Sequence, residues 1–120
     1  MKKVTFQSNG LTLAGNLYFP VDFDESNTYP AALIGGSLTS VKEQMAGTYA
    51  KKLAEHGIVA LAFDYRNYGE SEGQPRQYED PSLKLQDLEE AVTYLSARPY
   101  VSNILISMIN RHKLMKRLKM

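Results

Sequence analysis

Cysteine is absent from the 120 residues, which excludes disulfides, a thiolate metal site and a cysteine nucleophile. No metal-ligand spacing of other residue types stands in its place, and neither a metal nor a cofactor is expected. Long apolar runs are missing as well. The start, Met1-Lys2-Lys3-Val4-Thr5-Phe6-Gln7-Ser8, goes straight into polar–apolar alternation, without the run of about seven apolar residues that a signal peptide needs. Nothing approaches the ~20 apolar residues of a membrane span, so the expected location is cytoplasmic. Acidic residues are lacking in one region alone. Residues 1–100 hold nine Lys/Arg and all thirteen Asp/Glu, a balance of −4; residues 101–120 hold five Lys/Arg and no acid, a balance of +5. The formal charge of +1 for the whole conceals this shift, which marks an interaction tail or a segment of separate origin. Internal repeats and low-complexity tracts are also absent.

What is present fits one globular domain of ordinary composition, 43% hydrophobic and 22% charged. Val4-Thr5-Phe6-Gln7 and Leu11 to Phe19 alternate with period two on either side of Asn9-Gly10, and this dipeptide tolerates the positive φ of a tight hairpin turn. Pro20 ends the hairpin and a polar loop runs to Pro30. Ala31-Ala32-Leu33-Ile34 and Ile58-Val59-Ala60-Leu61-Ala62-Phe63 are unbroken apolar runs, the pattern of strands buried on both faces of a parallel sheet. Between them the spacing predicts a helix over about 41–56, with Ser40 and Glu43 in capping-box positions. Its inward stripe is Met45, Tyr49 and Leu53 with Ala46 and Ala50, and Gly57 closes it. A second helix is predicted over about 82–97, with Ser82 as a candidate cap and Leu85, Leu88, Ala91, Val92 and Leu95 facing inward. Residues 103–109 could form one further strand. A hairpin followed by alternating strands and helices makes the fold α/β, with a mixed sheet.

Four features could carry chemistry. Gly35-Gly36-Ser37-Leu38-Thr39-Ser40 joins a buried strand to a helix N-terminus, where backbone N–H groups suit a phosphate or a developing oxyanion; a turn that needs glycine for backbone reasons is the other reading. The spacing is not that of a Walker phosphate loop, despite Lys42 nearby. Gly69-Glu70-Ser71-Glu72-Gly73 matches Gly-x-Ser-x-Gly letter for letter. A nucleophile elbow, however, runs directly from a strand into a helix. This pentapeptide lies in a polar loop well past Phe63, with Gln74-Pro75-Arg76-Gln77 following and a glutamate on each side of the serine. Ser71 is therefore set aside as a nucleophile. Asp64, with Tyr65, Arg66 and Tyr68 behind it, sits at a strand's C-terminal end, where α/β sites gather; an Asp–Arg or Asp–backbone set that orders the loop is the reading favoured over a site wall. His56 at a helix C-terminus is explained by the helix dipole, and His112 lies between Arg111 and Lys113, so neither is a catalytic candidate. Residues 110–120 could form a short basic amphipathic helix with Leu114, Met115 and Leu118 on one face, but about ten residues are too few for a stable isolated helix. They give no strong reason to expect nucleic acid or a membrane as partner.

In combination these segments resemble the α/β-hydrolases. The stretch Tyr49-Ala50-Lys51-Lys52-Leu53-Ala54-Glu55-His56-Gly57 leading into Leu61-Ala62-Phe63-Asp64 is one part of the likeness. Asp64-Tyr65-Arg66-Asn67-Tyr68-Gly69-Glu70-Ser71-Glu72-Gly73 is similar to the Asp-x-Arg-x-x-Gly-x-Ser-x-Gly segment of the dienelactone-hydrolase-like branch, itself akin to the Xaa-Pro dipeptidyl-peptidase type. In that branch the segment follows the fourth strand and is not the nucleophile. Asp87-Leu88 and Ala91-Val92-Thr93-Tyr94-Leu95 match the helix before the elbow, and the likeness covers about residues 1–101.

The resemblance implies one oxyanion-hole N–H after the third strand, at Ser37 or Leu38, although Gly36-Ser37 stands where many members have His-Gly. It also implies a fifth strand leading to a nucleophile, and Ser107 has no glycine within five residues on either side. No catalytic residue is assigned: the nucleophile, the acid and the histidine are all lacking, and the chain is expected to be an inactive relative of ester- or amide-cleaving enzymes. The alternative is a non-catalytic binding or assembly module using a sheet edge and the basic tail. The expected architecture is a truncated α/β-hydrolase fold over 1–101, with 102–120 a divergent tail holding a makeshift strand and short helix. A truncated or frame-shifted coding sequence is the favoured origin of that tail, a shortened protein with a new role the other. Strand 3 or the makeshift strand is then an apolar edge, and a homo-oligomer through it is expected.

Overall fold

The structure, a computed structural model, describes residues 1–35, 47–76, 78 and 80–108. Strands β1 (Lys2–Ser8) and β2 (Leu11–Tyr18) form an antiparallel hairpin in the register Lys2↔Leu17 to Ser8↔Leu11. The two turn residues, Asn9 at φ 49° and Gly10 at φ 83°, both adopt the left-handed backbone that matches the twist of the flanking strands. Next come β3 (Tyr29–Gly35), α1 (Gly47–Glu55), β4 (Val59–Phe63), α2 (Pro81–Ser96) and β5 (Val101–Met108). The sheet order is β1-β2-β4-β3-β5. β3 runs parallel to both β4 and β5, and β2 pairs antiparallel with β4. The strand read over 103–109 is thus present from Val101, and of the two strands expected at an edge β3 lies inside, between β4 and β5.

The unbroken apolar runs of β3 and β4 serve two layers, because successive side chains of a strand point to opposite faces. Ala31, Leu33, Val59, Leu61 and Phe63 join Phe6, Leu13 and Leu17 against Ala91 and Leu95 of α2. Ala32, Ile34, Ala60 and Ala62 face Tyr49, Ala50 and Leu53 of α1. One face carries the bulk and the other is mostly alanine, so α1 can lie close over small side chains.

Both helix ends have a local cause. Gly57, at φ 83°, follows α1; its N–H bonds to Ala54 O at 3.1 Å and that of Ile58 to Leu53 O at 3.2 Å. Those are the two bonds of a Schellman cap, and Leu53 and Ile58 meet in the same apolar cluster. The expected start of this helix, with Ser40, Glu43, Met45 and Ala46, lies outside the described residues. His56 Nδ1 sits 2.9 Å from Lys52 O, a partner that can only accept, in keeping with a terminal role.

Two readings of α2 are corrected. Its cap is Asp80 rather than Ser82: Oδ1 of Asp80 accepts from the N–H of Ser82 at 3.0 Å and of Leu83 at 3.4 Å, and Pro81 takes the first helical position, where no N–H is needed. Leu85 is 56% exposed, because it falls at the flank of the stripe. The inner position of the first turn belongs to Lys84, whose ammonium lies 4.6 Å above the Tyr65 ring while its stem covers apolar surface. Among the described residues no helix is long and apolar enough to cross a membrane.

The Ser82 hydroxyl holds the Asp80 carboxyl below its ordinary value of 3.8, so the unfolded chain takes up that proton more readily than the fold does. The cap's contribution is therefore complete above the ordinary value and is lost as the pH falls through the lowered one. Asp80→Asn keeps an acceptor for Ser82 and Leu83 and is expected to remove this acid-side dependence, measured as helix content by circular dichroism through an acid titration.

Candidate active-site end of the sheet

The three parallel strands finish level with one another: Gly35 of β3 is in register with Phe63 of β4 and with Met108 of β5. Sites of α/β proteins form beyond this carboxyl end. Asp64 is the first residue past it, and the loop from Asp64 to Gly73 is the described part of the rim. Residues 36–46, with the oxyanion candidates Ser37 and Leu38, lie outside the described residues, as do residues 109–120.

The 64–73 loop is tied to β2 along its length. Asp64 N–H bonds to Ala14 O at 2.9 Å and Glu72 N–H to Thr12 O at 2.9 Å. Thr12 N–H returns a bond to Glu72 Oε1 at 2.8 Å, and Ala14 N–H bonds to Ser71 Oγ at 2.8 Å. The same hydroxyl donates its one proton to Asp64 O at 2.6 Å, and Ser71 is 2% exposed. A nucleophile must present its oxygen to substrate and its proton to a base; this serine gives both to backbone. The letter match to an elbow is a loop staple.

The glycines of that motif have backbone reasons of their own. Gly69 has φ 51° and Gly73 φ 126°. A Cβ at Gly69 would run into the Asp64 carboxylate, and one at Gly73 into the Asn67 side-chain oxygen. Asp64, fully buried, accepts from the Glu70 N–H at 3.0 Å, and Arg76 closes the loop from outside with bonds to the carbonyls of Ser71 and Gly69, both 2.7 Å. Of the two readings of Asp64, this loop-ordering backbone set is the one realised.

Arg66 does not pair with Asp64. It turns to Asp87 on α2, which has no exposed surface. Arg66 N–H reaches Asp87 Oδ2 at 2.8 Å, while its Nε and Nη2 reach Oδ1 at 3.0 and 2.8 Å. Ser8 Oγ, at the end of β1, donates to the same Oδ1 at 2.7 Å, and Gln86 Oε1 accepts from Arg66 Nη2 at 3.0 Å. Desolvated charges need this degree of pairing, since each unmatched ion costs several kcal/mol. Neither Asp87, named only as part of the helix likeness, nor Ser8 was given a role by sequence reasoning. The signal was available: Asp87 stands four residues before Ala91, on the face that Ala91 and Leu95 bury.

Comparison with known proteins gives a consistent likeness. No protein-family model matches the chain. It is 43% identical over 104 residues to the YcjY protein of Escherichia coli, a match spanning 84% of this chain and 34% of that protein. It is 42% identical over 91 residues to the thiohydrolase aneE of Aspergillus aculeatus, spanning 76% of this chain and 27% of that one. Among solved structures, protein PA2218 of Pseudomonas aeruginosa superposes with a TM-score of 0.82 at 42% identity, over 88% of this chain and 33% of that chain. The α/β-hydrolase GrgF of Penicillium superposes with a TM-score of 0.81 at 31% identity, over 90% and 37% respectively. The fold is therefore the α/β-hydrolase fold, and the chain spans about a third of the length of the curated relatives it matches.

Removing one partner of the buried pair leaves the other uncompensated, and Asp87→Ala is expected to lose about 3–5 kcal/mol of stability. The double replacement Arg66→Met/Asp87→Leu is expected to recover a large part of that loss. Urea unfolding of the single and double variants measures both.

Proposed function

We propose that this chain forms the sheet and one wall of an ester- or thioester-cleaving α/β-hydrolase, and that taken alone it is catalytically silent. The observation that carries the second half is Ser71. Its Gly-x-Ser-x-Gly setting is the one match to an elbow in the sequence, and both its proton and its acceptor face are given to Asp64 O and Ala14 N–H. The first half is supported by the fold and by the 42% identity to a protein named as a thiohydrolase. Acyl transfer also fits the architecture in kind: a carbonyl bound beyond the carboxyl ends of β3 and β4 would need backbone N–H groups for its developing negative charge, and the sequence offers them between Gly35 and α1. In this reading the donor is the N–H of Ser37 or Leu38.

Within the superfamily we favour the dienelactone-hydrolase-like branch, on the Asp64-to-Gly73 segment. Support for that segment's role is structural: its glycines make room for Asp64 and Asn67, and its arginine reaches across to Asp87, so the pattern reads as a wall-building motif. A non-catalytic assembly role is the second reading, favoured by β5, which is outermost among the described strands and carries no charged residue from Val101 to Met108.

The 120-residue chain is expected to hydrolyse p-nitrophenyl acetate and its thioester analogue no faster than buffer. Turnover that disappears in Ser71→Ala would make that serine a nucleophile and overturn the reading of it as a staple.

A further inference from the structure

Asparagine occurs six times in the sequence, and Asn9 alone is followed by glycine; the others precede Leu17, Thr28, Tyr68, Ile104 and Arg111. The dipeptide makes the hairpin turn, and it has a reactivity of its own. The backbone nitrogen of the following residue can attack an asparagine side chain, and a side chain on that residue hinders the approach; glycine has none. At the turn Asn9 and Gly10 are both exposed, and a Cβ built on Gly10 would meet nothing within 4 Å. The last pair of the ladder is Ser8↔Leu11, so the N–H of Gly10 lies outside it. Among the described residues the Asn9 carboxamide has no hydrogen-bond partner. Asn67 is the opposite case: it is buried, and its Nδ2 donates to Tyr78 O at 3.0 Å.

We propose that Asn9 is a site of spontaneous modification, converting through a cyclic imide to aspartate and isoaspartate. The Gly10 nitrogen bonds to Asn9 Cγ as the Cγ–Nδ2 bond breaks, and ammonia leaves with the proton that Gly10 gives up. Water then opens the ring. Attack at Cγ restores the ordinary backbone with an aspartate side chain, and attack at the main-chain carbonyl carbon leaves the chain running through the side chain. The step is internal to the turn and takes only water. It proceeds from the open tip, and the tip of a hairpin opens without the rest of the sheet. Isoaspartate lengthens the backbone by one atom inside a two-residue turn, whose fixed length sets the strand register. Ser8, the next residue back, donates its hydroxyl to Asp87 Oδ1 at 2.7 Å. Isoaspartate at the tip therefore loosens one of the donors to the buried carboxylate. Aspartate keeps the backbone and tolerates the left-handed conformation that Asn9 has at φ 49°, so it leaves that bond in place.

The test is to hold the 120-residue chain in mildly alkaline buffer, digest it and read the peptides by mass spectrometry. Exchange of amide for acid is expected in the peptide that holds Asn9 ahead of every other asparagine, with isoaspartate identified as the methyl acceptor of an isoaspartyl methyltransferase. In urea the isoaspartate form is expected to unfold at a lower midpoint than the wild type, and Asn9→Asp at the wild-type midpoint. In a Ser8→Ala background the isoaspartate form is expected to lose less, because the bond it loosens is already gone. An Asn9 that remains an amide while a free peptide of residues 5–14 is converted in the same buffer would overturn the proposal. Conversion spread evenly over the asparagines would do the same. An isoaspartate form that keeps the wild-type midpoint, or loses as much without the Ser8 hydroxyl, would overturn the link to Asp87.

Discussion

Asp87 holds a carboxylate at a point with no solvent exposure, and its position is defensible because four donors converge on it. Three come from Arg66, through its backbone N–H, Nε and Nη2, and the fourth is the Ser8 hydroxyl. Through this one side chain the end of β1, the loop beyond β4 and the second turn of α2 are fixed to one another. The arrangement contributes less to stability than its number of bonds suggests, since both charges have left water. What it supplies is position. With Arg66 anchored, the loop that follows has a fixed start, and Ser71 and Glu72 fall beside Ala14 and Thr12 of β2.

That position decides the chemistry of the rim. A hydroxyl at the carboxyl end of a parallel sheet, flanked by glycines, has the surroundings from which nucleophiles are drawn. Here the strand does not turn straight into a helix, and the loop folds back to make strand-like bonds with β2. The glycines that elsewhere relieve a strained elbow make room for Asp64 and Asn67. The same five letters serve two ends because what matters is where the chain goes next.

The fold was legible from sequence to the extent that it is governed by local rules. Asn9-Gly10 and the alternation around it fixed the hairpin, the two continuous apolar runs gave β3 and β4, and Gly57 gave the end of α1. The dismissal of Ser71 rested on its distance from Phe63 and agrees with its hydrogen bonds. Less was legible where tertiary contacts decide. The Asp80 cap was hidden by Ser82, a residue type equally suited to the role, and Leu85 was read as inward although Lys84, covering Tyr65 with its stem, has that place. The partnership of Arg66 with Asp87 spans 21 residues, and no rule of local spacing links them. The oxyanion candidates Ser37 and Leu38, and the basic tail, stand outside the described residues.

The 64–73 loop is as much a part of the sheet as β2 itself, held by Arg66 and stapled by Ser71. Amide hydrogen exchange at Ala14, Asp64 and Glu72 tests this most directly. If the loop is integral, these three amides, each bonded across the β2–loop junction, exchange as slowly as those of Leu61 and Ala62 in β4, through global unfolding. If instead they exchange far faster than β4, the loop opens on its own, Ser71 is intermittently available, and the central claim is contradicted.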